Sequence, residues 1–332
     1  MKRYDSHSYR VRKSPVKIII LGLILIALIF LAAYIFEKVS DGEIQPAERH
    51  VEEQVSITDI NGEKHNVSKS IESVLLIGLD KHEDEKSKES YVNNMQSDFI
   101  SVVVFDNAKR SYTILIIDRD TMCPVTRLGV TGQAADTNIE QIALAHTYGS
   151  GKTDSCRNTM KSVKKLLFGA PIDHYCSFTL DVVGIVNDAL GGVTIEIPED
   201  MTSVNSAFTQ GAVITLTGDE AEQFVRARRA LGEDNNKMRI SRHEIYLEAL
   251  KEAVDDKGGA EVITDDVLLE INEYIVSDLS VDKMQSYIEK FTEYTFKGFI
   301  VPSGEFNMGD TYNEFFADEN ELSDIVISLF CK

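Results

Sequence analysis

The chain has 332 residues, 43% of them hydrophobic, with only 6 Pro and 20 Gly, which suits a large folded body rather than a disordered one. A formal charge of −20 argues against a nucleic-acid partner, because binding a polyanion needs a Lys/Arg face that releases its counterions. Four Cys without a CxxC exclude a disulfide scaffold and a zinc ribbon, and no HExxH, GxSxG or GxxxxGK[ST] motif occurs.

The amino terminus sets the compartment. Residues 1–17 carry Lys2, Arg3, Arg10, Arg12, Lys13 and Lys17 against a lone Asp5. Residues 18–36 (IIILGLILIALIFLAAYIF) hold no charge and are long enough to cross a bilayer as a helix. Basic flanks stay in the cytoplasm, so a single-pass protein of the cell membrane is expected, with a cytoplasmic tail (1–17) and an extracytoplasmic body. A cleaved signal peptide is the main alternative, against which stand the length of the run and the lack of an A-x-A site. Outside the cell, Cys123, Cys156, Cys176 and Cys331 could form disulfides in any of three full pairings, or remain buried thiols.

Residues 37–72 are polar and read as a stalk, with a short hairpin at Asn61-Gly62; the folded domain is placed at 73–332. Near-continuous apolar runs at 73–79, 99–105 and 111–117 predict strands covered on both faces. Helices are expected at 138–148 and 158–168, then strands near 174–179 and 193–197 around Gly191-Gly192. Thr217-Gly218-Asp219-Glu220 fits a capping box that opens a helix through about Arg228, and a second helix spans 238 to about 254. The closing region, 258–332, holds two further helical stretches, a strand near 299–301 and a last helix at 319–330. Strands mixed with helices, without repeats, predict an α/β three-layer sandwich, a mixed central sheet flanked by helices.

Arginines stand out in so acidic a body. Arg226, Arg228 and Arg229 end one helix, where cations complement the macrodipole. Arg239, Arg242 and His243 instead open the next helix, where the dipole disfavours them. Their i, i+3, i+4 spacing puts them on one face, continued by Tyr246 and Leu250, so they face the core. An anion such as phosphate would satisfy them; structural ion pairs to Asp or Glu are the alternative.

Carboxylates gather at the strand ends: Asp80 after the first, Asp98 at the start of the second, and Asp118-Arg119-Asp120 after the third. If the first and third strands run parallel and the second antiparallel, Asp80, Asp98 and Arg119 meet at one end of the sheet. Two carboxylates with phosphate oxygens suit Mg²⁺, and Arg119 would add a guanidinium. Ordinary turn carboxylates are the plainer reading. His146, Tyr148, His174 and Tyr175 lack a partner pattern for nucleophilic catalysis and are expected to pack or to wall a pocket.

These stretches taken together resemble the LytR–CpsA–Psr family of Gram-positive cell-wall enzymes. The resemblance is carried by VLLIGLD (74–80), QSDFISVVVFD (96–106), ILIIDRDT (114–121), ALAHTYGSG (143–151), PIDHY (171–175), DALGGVTIEIP (188–198), LTGDEAEQFVRAR (216–228) and MRISRHEIYLEAL (238–250). It implies a groove for a polyprenyl-phosphate lipid. It also implies transfer of a glycopolymer phosphate from a polyprenyl-pyrophosphate carrier to a hydroxyl of peptidoglycan. By the same resemblance Asp80 and Asp98 match carboxylates that hold Mg²⁺ or another divalent cation. Arg119, Arg226, Arg228, Arg239 and Arg242 match pyrophosphate-binding arginines. Gln96 stands where many members have Arg, and His243 where a Gln is usual; both are still expected at the pyrophosphate, His243 as a hydrogen-bond donor that brings a pH dependence. Asp98, Arg119 and Asp120 are the expected catalytic residues, with Asp98 or Asp120 as proton acceptor. Gln96 and His243 also leave open a catalytically silent lipid-binding or regulatory protein, and water as acceptor would make a lipid pyrophosphatase. Teichoic acid, capsule or another wall polysaccharide are equally open as cargo.

Overall fold

A computed structural model of the protein describes residues 55–331 apart from 81–94, 130–131, 229–230, 232–235, 258–264, 281–282, 284–285, 288–289, 292 and 310–311. The expected membrane segment, the cytoplasmic tail, most of the stalk and of the charged loop after Asp80, Arg229 and Gly258-Gly259 lie outside the described residues. Among the described residues no helix is long and apolar enough to cross a membrane.

The chain begins with β1 (Ser56–Thr58), β2 (Lys64–Asn66), β3 (Ile71–Asp80), β4 (Gln96–Asp106), β5 (Ser111–Ile117), β6 (Met122–Leu128) and β7 (Ala134–Gln141). A 3₁₀ helix (Ile142–Tyr148), α1 (Thr153–Leu166), β8 (His174–Thr179), α2 (Asp181–Ala189), β9 (Val193–Glu196) and β10 (Val213–Leu216) follow. Then come α3 (Gly218–Arg226), α4 (Lys237–Asp256), α5 (Asp265–Asn272), β11 (Ile275–Ser277), β12 (Thr295–Ile300), β13 (Gly304–Met308), β14 (Asn313–Ala317) and α6 (Glu319–Phe330).

Six strands form the central sheet in the order β11-β8-β3-β4-β5-β12. β4 runs antiparallel to both β3 and β5, while β8 is parallel to β3, so the sheet is mixed. The period-2 alternation of the strands divides their apolar side chains between two cores. Val74, Leu76, Val103, Phe105, Ile114 and Ile116 pack against α2–α5 on one face. Leu75, Ile77, Ile100, Val102, Leu115 and Ile117 pack against the 3₁₀ helix, α1 and α6 on the other. Continuous apolar runs thus became fully covered strands, and the layers are helix, sheet, helix.

Several boundaries differ from expectation. The segment read as a helix at 138–148 is the end of β7 followed by a 3₁₀ turn. β7 pairs with β6 in a hairpin, and that pairing overrides the local helical pattern. α1 starts at Thr153, five residues earlier than predicted. β9 does not join the central sheet but pairs with β10. The hairpin at Asn61-Gly62 exists, yet it belongs to the body rather than to a stalk: Ile57 is fully buried, and Ser68 N–H donates to the Phe330 carbonyl at 2.9 Å. All four cysteines are free thiols; burial pushes Cys123 and Cys156 up to about 12, so neither is reactive.

Candidate active site

The antiparallel order of the first three long strands brings the C-terminal ends of β3 and β5 and the start of β4 to one end of the sheet. There Asp80 closes β3, Asp98 opens β4, and Asp118-Arg119-Asp120 follows β5. A register shift between Gly78 and Leu79 re-aims the end of β3. Any side chain at Gly78 would meet Phe99 Cβ at 2.8 Å, so this glycine is what lets β3 and β4 close here.

The arginines come from the helical layer. Thr217 and Glu220 form the expected capping box, which fixes the start of α3 and so the place of its last residue, Arg226. Arg226 Nε donates to Asp80 Oδ2 at 2.7 Å. Arg239, only 4% exposed, lies near the start of α4, where Asn236 Oδ1 accepts from its Nε at 2.6 Å. Its Nη1 then reaches Asp98 Oδ2 at 3.2 Å. Arg119 donates to Asp98 Oδ1 and to Gln96 Oε1. Arg228 Nη2 stands 3.5 Å from Asp120 Oδ2, and Arg119 Nε 3.5 Å from Asp120 Oδ1. Asp98, Asp120, Arg119, Arg228 and Arg239 therefore form one connected network, and Arg226 with Asp80 makes a separate pair beside it.

Arg242 is placed differently. Its guanidinium, 1% exposed, donates to Glu199 Oε1 at 2.6 Å and to the Ala227 carbonyl, and it does not line the cavity described below. The expectation of a phosphate ligand gives way here to the structural ion pair. His243 lines the cavity, edge-on to Phe99, and its Nε2 donates to the Val225 carbonyl at 3.0 Å. Burial, aided by Arg239, depresses its pKa to about 3. The imidazole is thus neutral at any physiological pH and does not confer the pH dependence expected of it.

Electrostatics separate the carboxylates. Burial acts to raise Asp98, but Arg119 and Arg239 outweigh it and hold the group below its ordinary value. Burial raises Asp120 despite Arg119 and Arg228. Asp118, whose Oδ1 accepts from Asp120 N–H at 2.9 Å, is raised to about 6, chiefly by burial.

Below the network lies a narrow, half-open cavity between the sheet and α2–α4. Its walls are apolar, among them Phe99, Phe178, Val182, Val186, Tyr246 and Leu250, while Asp80, Asp98, Arg226 and Arg239 stand at its rim. An apolar cleft beside convergent guanidiniums suits an amphiphile with an anionic head. Oxygen donors only, from Asp80 and Asp98, fit a hard cation such as Mg²⁺. His146 donates through Nδ1 to the Met95 carbonyl at 3.1 Å and Tyr148 to Glu140 at 2.6 Å; neither these nor His174 and Tyr175 line the cavity. Asn236, Glu199 and Gln141 take part in fixing these charges, and no sequence pattern singled them out; Gln141 sat inside the segment misread as a helix.

The buried histidines give a testable pH dependence. His243 titrates near 3 and His146 near 4 in the fold, against about 6.5 for a free imidazole. Below pH 6.5 the unfolded chain therefore binds protons that the folded chain refuses, and their contribution to stability falls with pH. Replacing His243 with Gln should remove this loss: between pH 7 and 5 the variant should gain about 2 kcal/mol on the parent protein in urea unfolding. A constant difference across that range would show a solvated imidazole that titrates as in the unfolded chain, and a change of opposite sign a charged one.

The comparisons with known proteins agree with one another. The LytR_cpsA_psr family matches the chain over residues 33–326. A polyisoprenyl-teichoic acid–peptidoglycan teichoic acid transferase, TagU, from Halalkalibacterium halodurans is 26% identical over 275 residues, 80% of each chain. A TagU from Bacillus cereus is 28% identical over 168 residues, 51% of this chain and 48% of the relative. Among solved structures, TagT bound to LI-WTA superposes with a TM-score of 0.58 at 20% identity, covering 85% of this chain and 97% of that one. Protein gbs0355 from Streptococcus agalactiae gives 0.61 at 16%, covering 78% and 87%. These structures share the fold of the described body.

Proposed function

This chain belongs to the LytR–CpsA–Psr family, and we propose that it moves a glycopolymer phosphate from a polyprenyl-pyrophosphate carrier to a peptidoglycan hydroxyl. The observation that carries the reading is the apolar cavity whose rim holds Arg226 and Arg239 against Asp80 and Asp98. The prenyl chain would lie in the cavity and the pyrophosphate at the rim. Relatives named as teichoic acid transferases support a transferase with a wall glycopolymer as cargo. The anchor, residues 18–36, would keep the site on the outer face of the cell membrane, where the lipid resides.

Without substrate, each arginine of the network rests on a carboxylate. An incoming pyrophosphate offers more acceptor oxygens and competes for Arg226, Arg228 and Arg239. Those guanidiniums then orient the sugar-linked phosphorus and neutralise charge that develops on the departing lipid phosphate. Asp80 and Asp98 would hold Mg²⁺, which when bound adds further charge neutralisation at the phosphate oxygens. Arg242 acts from outside the rim, tying the stretch that carries Arg226 and Arg228 to α4 through the Ala227 carbonyl.

A second reading, lipid binding without turnover, is favoured by Gln96. Its Oε1 draws one Arg119 N–H to itself where a guanidinium would have faced the phosphate. The discriminating experiment uses the full chain in detergent with a lipid-pyrophosphate-linked saccharide, Mg²⁺ and peptidoglycan fragments. Saccharide appearing on the acceptor in a metal-dependent way is expected; tight lipid binding without turnover would establish the second reading. Release of saccharide phosphate at the same rate without acceptor would mark a pyrophosphatase.

A further inference from the structure

Gln141 ends β7, is 5% exposed, and points into the charged network. Its Nε2 donates to Asp120 Oδ1 and to the Asn313 carbonyl, both at 2.8 Å. Both amide hydrogens are used on acceptors, so a flipped carboxamide would set oxygen against two oxygens. Its orientation is fixed. Asp120 is pinned along its backbone as well: its N–H donates to Asp118 Oδ1 at 2.9 Å and its carbonyl accepts from Phe315 N–H at 2.9 Å.

The result is an asymmetric carboxylate. Oδ1 is held by the amide, while Oδ2 has no hydrogen-bond partner among the described residues, in a side chain whose residue is only 1% exposed. Leaving a buried acceptor unsatisfied costs about 1–3 kcal/mol, so its retention points to a donor that arrives with substrate. Asp98 is unlike it: both of its oxygens accept from guanidiniums. Among the described residues the charged groups facing Asp120 are Asp118, Arg119, Arg228, Arg239 and Asp98. Of these, Arg228 covers Oδ2 at 3.5 Å, and it is the guanidinium that a donor pyrophosphate would draw away.

We propose that Asp120, rather than Asp98, takes the proton of the acceptor hydroxyl, and that Gln141 is the positioning residue that presents Oδ2 for it. This deepens the transferase reading and rests on it. In the step, the hydroxyl proton passes to Asp120 Oδ2 as the hydroxyl oxygen bonds to the sugar-linked phosphorus. The bond from that phosphorus to the bridging oxygen breaks, and polyprenyl phosphate leaves with the electron pair. Asp120 then returns its proton to the departing phosphate or to water.

The test uses the full chain in detergent, with the lipid-linked donor and peptidoglycan fragments. Asp120→Asn should lower kcat by about 10²–10³-fold while donor KM stays within about threefold. Gln141→Leu should lower kcat about tenfold, again at nearly constant KM. Formate should restore at least about tenfold of the rate lost in Asp120→Ala and none of that lost in Asp98→Ala, as expected if a carboxylate base is missing. Asp120→Asn that keeps turnover within about threefold would overturn the assignment. So would loss of donor affinity in Asp120→Asn and Gln141→Leu alike without formate rescue, since that marks a structural role. Parent protein that binds lipid but never transfers would sink the transferase reading itself, and that outcome is seen before any variant is made.

Discussion

Replacing Arg239 with Ala is expected to lower transfer turnover about 10³-fold, the scale seen when a preorganised guanidinium is taken from a phosphoryl-transfer site. Arg239 is the most buried cation at the rim, held by Asn236 on one side and Asp98 on the other. Burial lowers its own pKa, which is the cost of holding a charge there for use. Arg239→Lys keeps the charge but loses the planar fork that spans Asn236 and Asp98, and should recover only part of the rate. The measurement is initial rate with lipid-linked donor and peptidoglycan fragments, beside a thermal melt to confirm folding. A folded Arg239→Ala that transfers at the parent rate would remove the arginine from the site and leave it an ion pair of the core.

Arg242→Ala should act on a different quantity. The side chain is buried more deeply still, and its loss strips a partner from Glu199 and from the Ala227 carbonyl. Breaking a buried pair costs about 3–5 kcal/mol; the partial exposure of Glu199 puts the expectation near the lower end, about 3 kcal/mol. Urea unfolding would measure it. Removing both charges together, as Arg242→Met with Glu199→Gln, should return part of the loss, because no ion is then left unpaired. Arg239 and Arg242 thus stand three residues apart on one helix with opposite expected signatures. A stable Arg242→Ala with weakened lipid binding would return this residue to the phosphate site.

How far could these roles be read in advance? Asp80, Asp98 and Arg119 were legible because strand ends are marked by where an apolar run stops, and the antiparallel order of three strands is a short list of options. The i, i+3, i+4 face of α4 was also legible, and it correctly placed Arg239, Arg242 and His243 toward the core. Periodicity fixes a face, not a partner. Whether Arg242 met an anion or Glu199 depended on the loop between β9 and β10 bringing Glu199, and the end of α3 bringing Ala227, to α4. The same limit hid β7 and Gln141. A hairpin whose exposed residues 134–139 carry little apolar alternation gives no period to read, and the Ile142–Tyr148 turn beside it supplied a helical one. His243 was expected to titrate because its type allows it; its surroundings, not its identity, decided otherwise.

The two outermost strands of the central sheet, β11 and β12, both come from the last quarter of the chain. Until they arrive, β8 and β5 are open rims on an otherwise apolar four-stranded layer, the kind of surface that pairs with strands of other molecules. A chain cut before Ile275 would therefore lose more than an appendage: it would keep every charged residue of the network and still expose two templates for aggregation. The closing region works as a pair of hems, and solubility of the body depends on its carboxyl-terminal end being made.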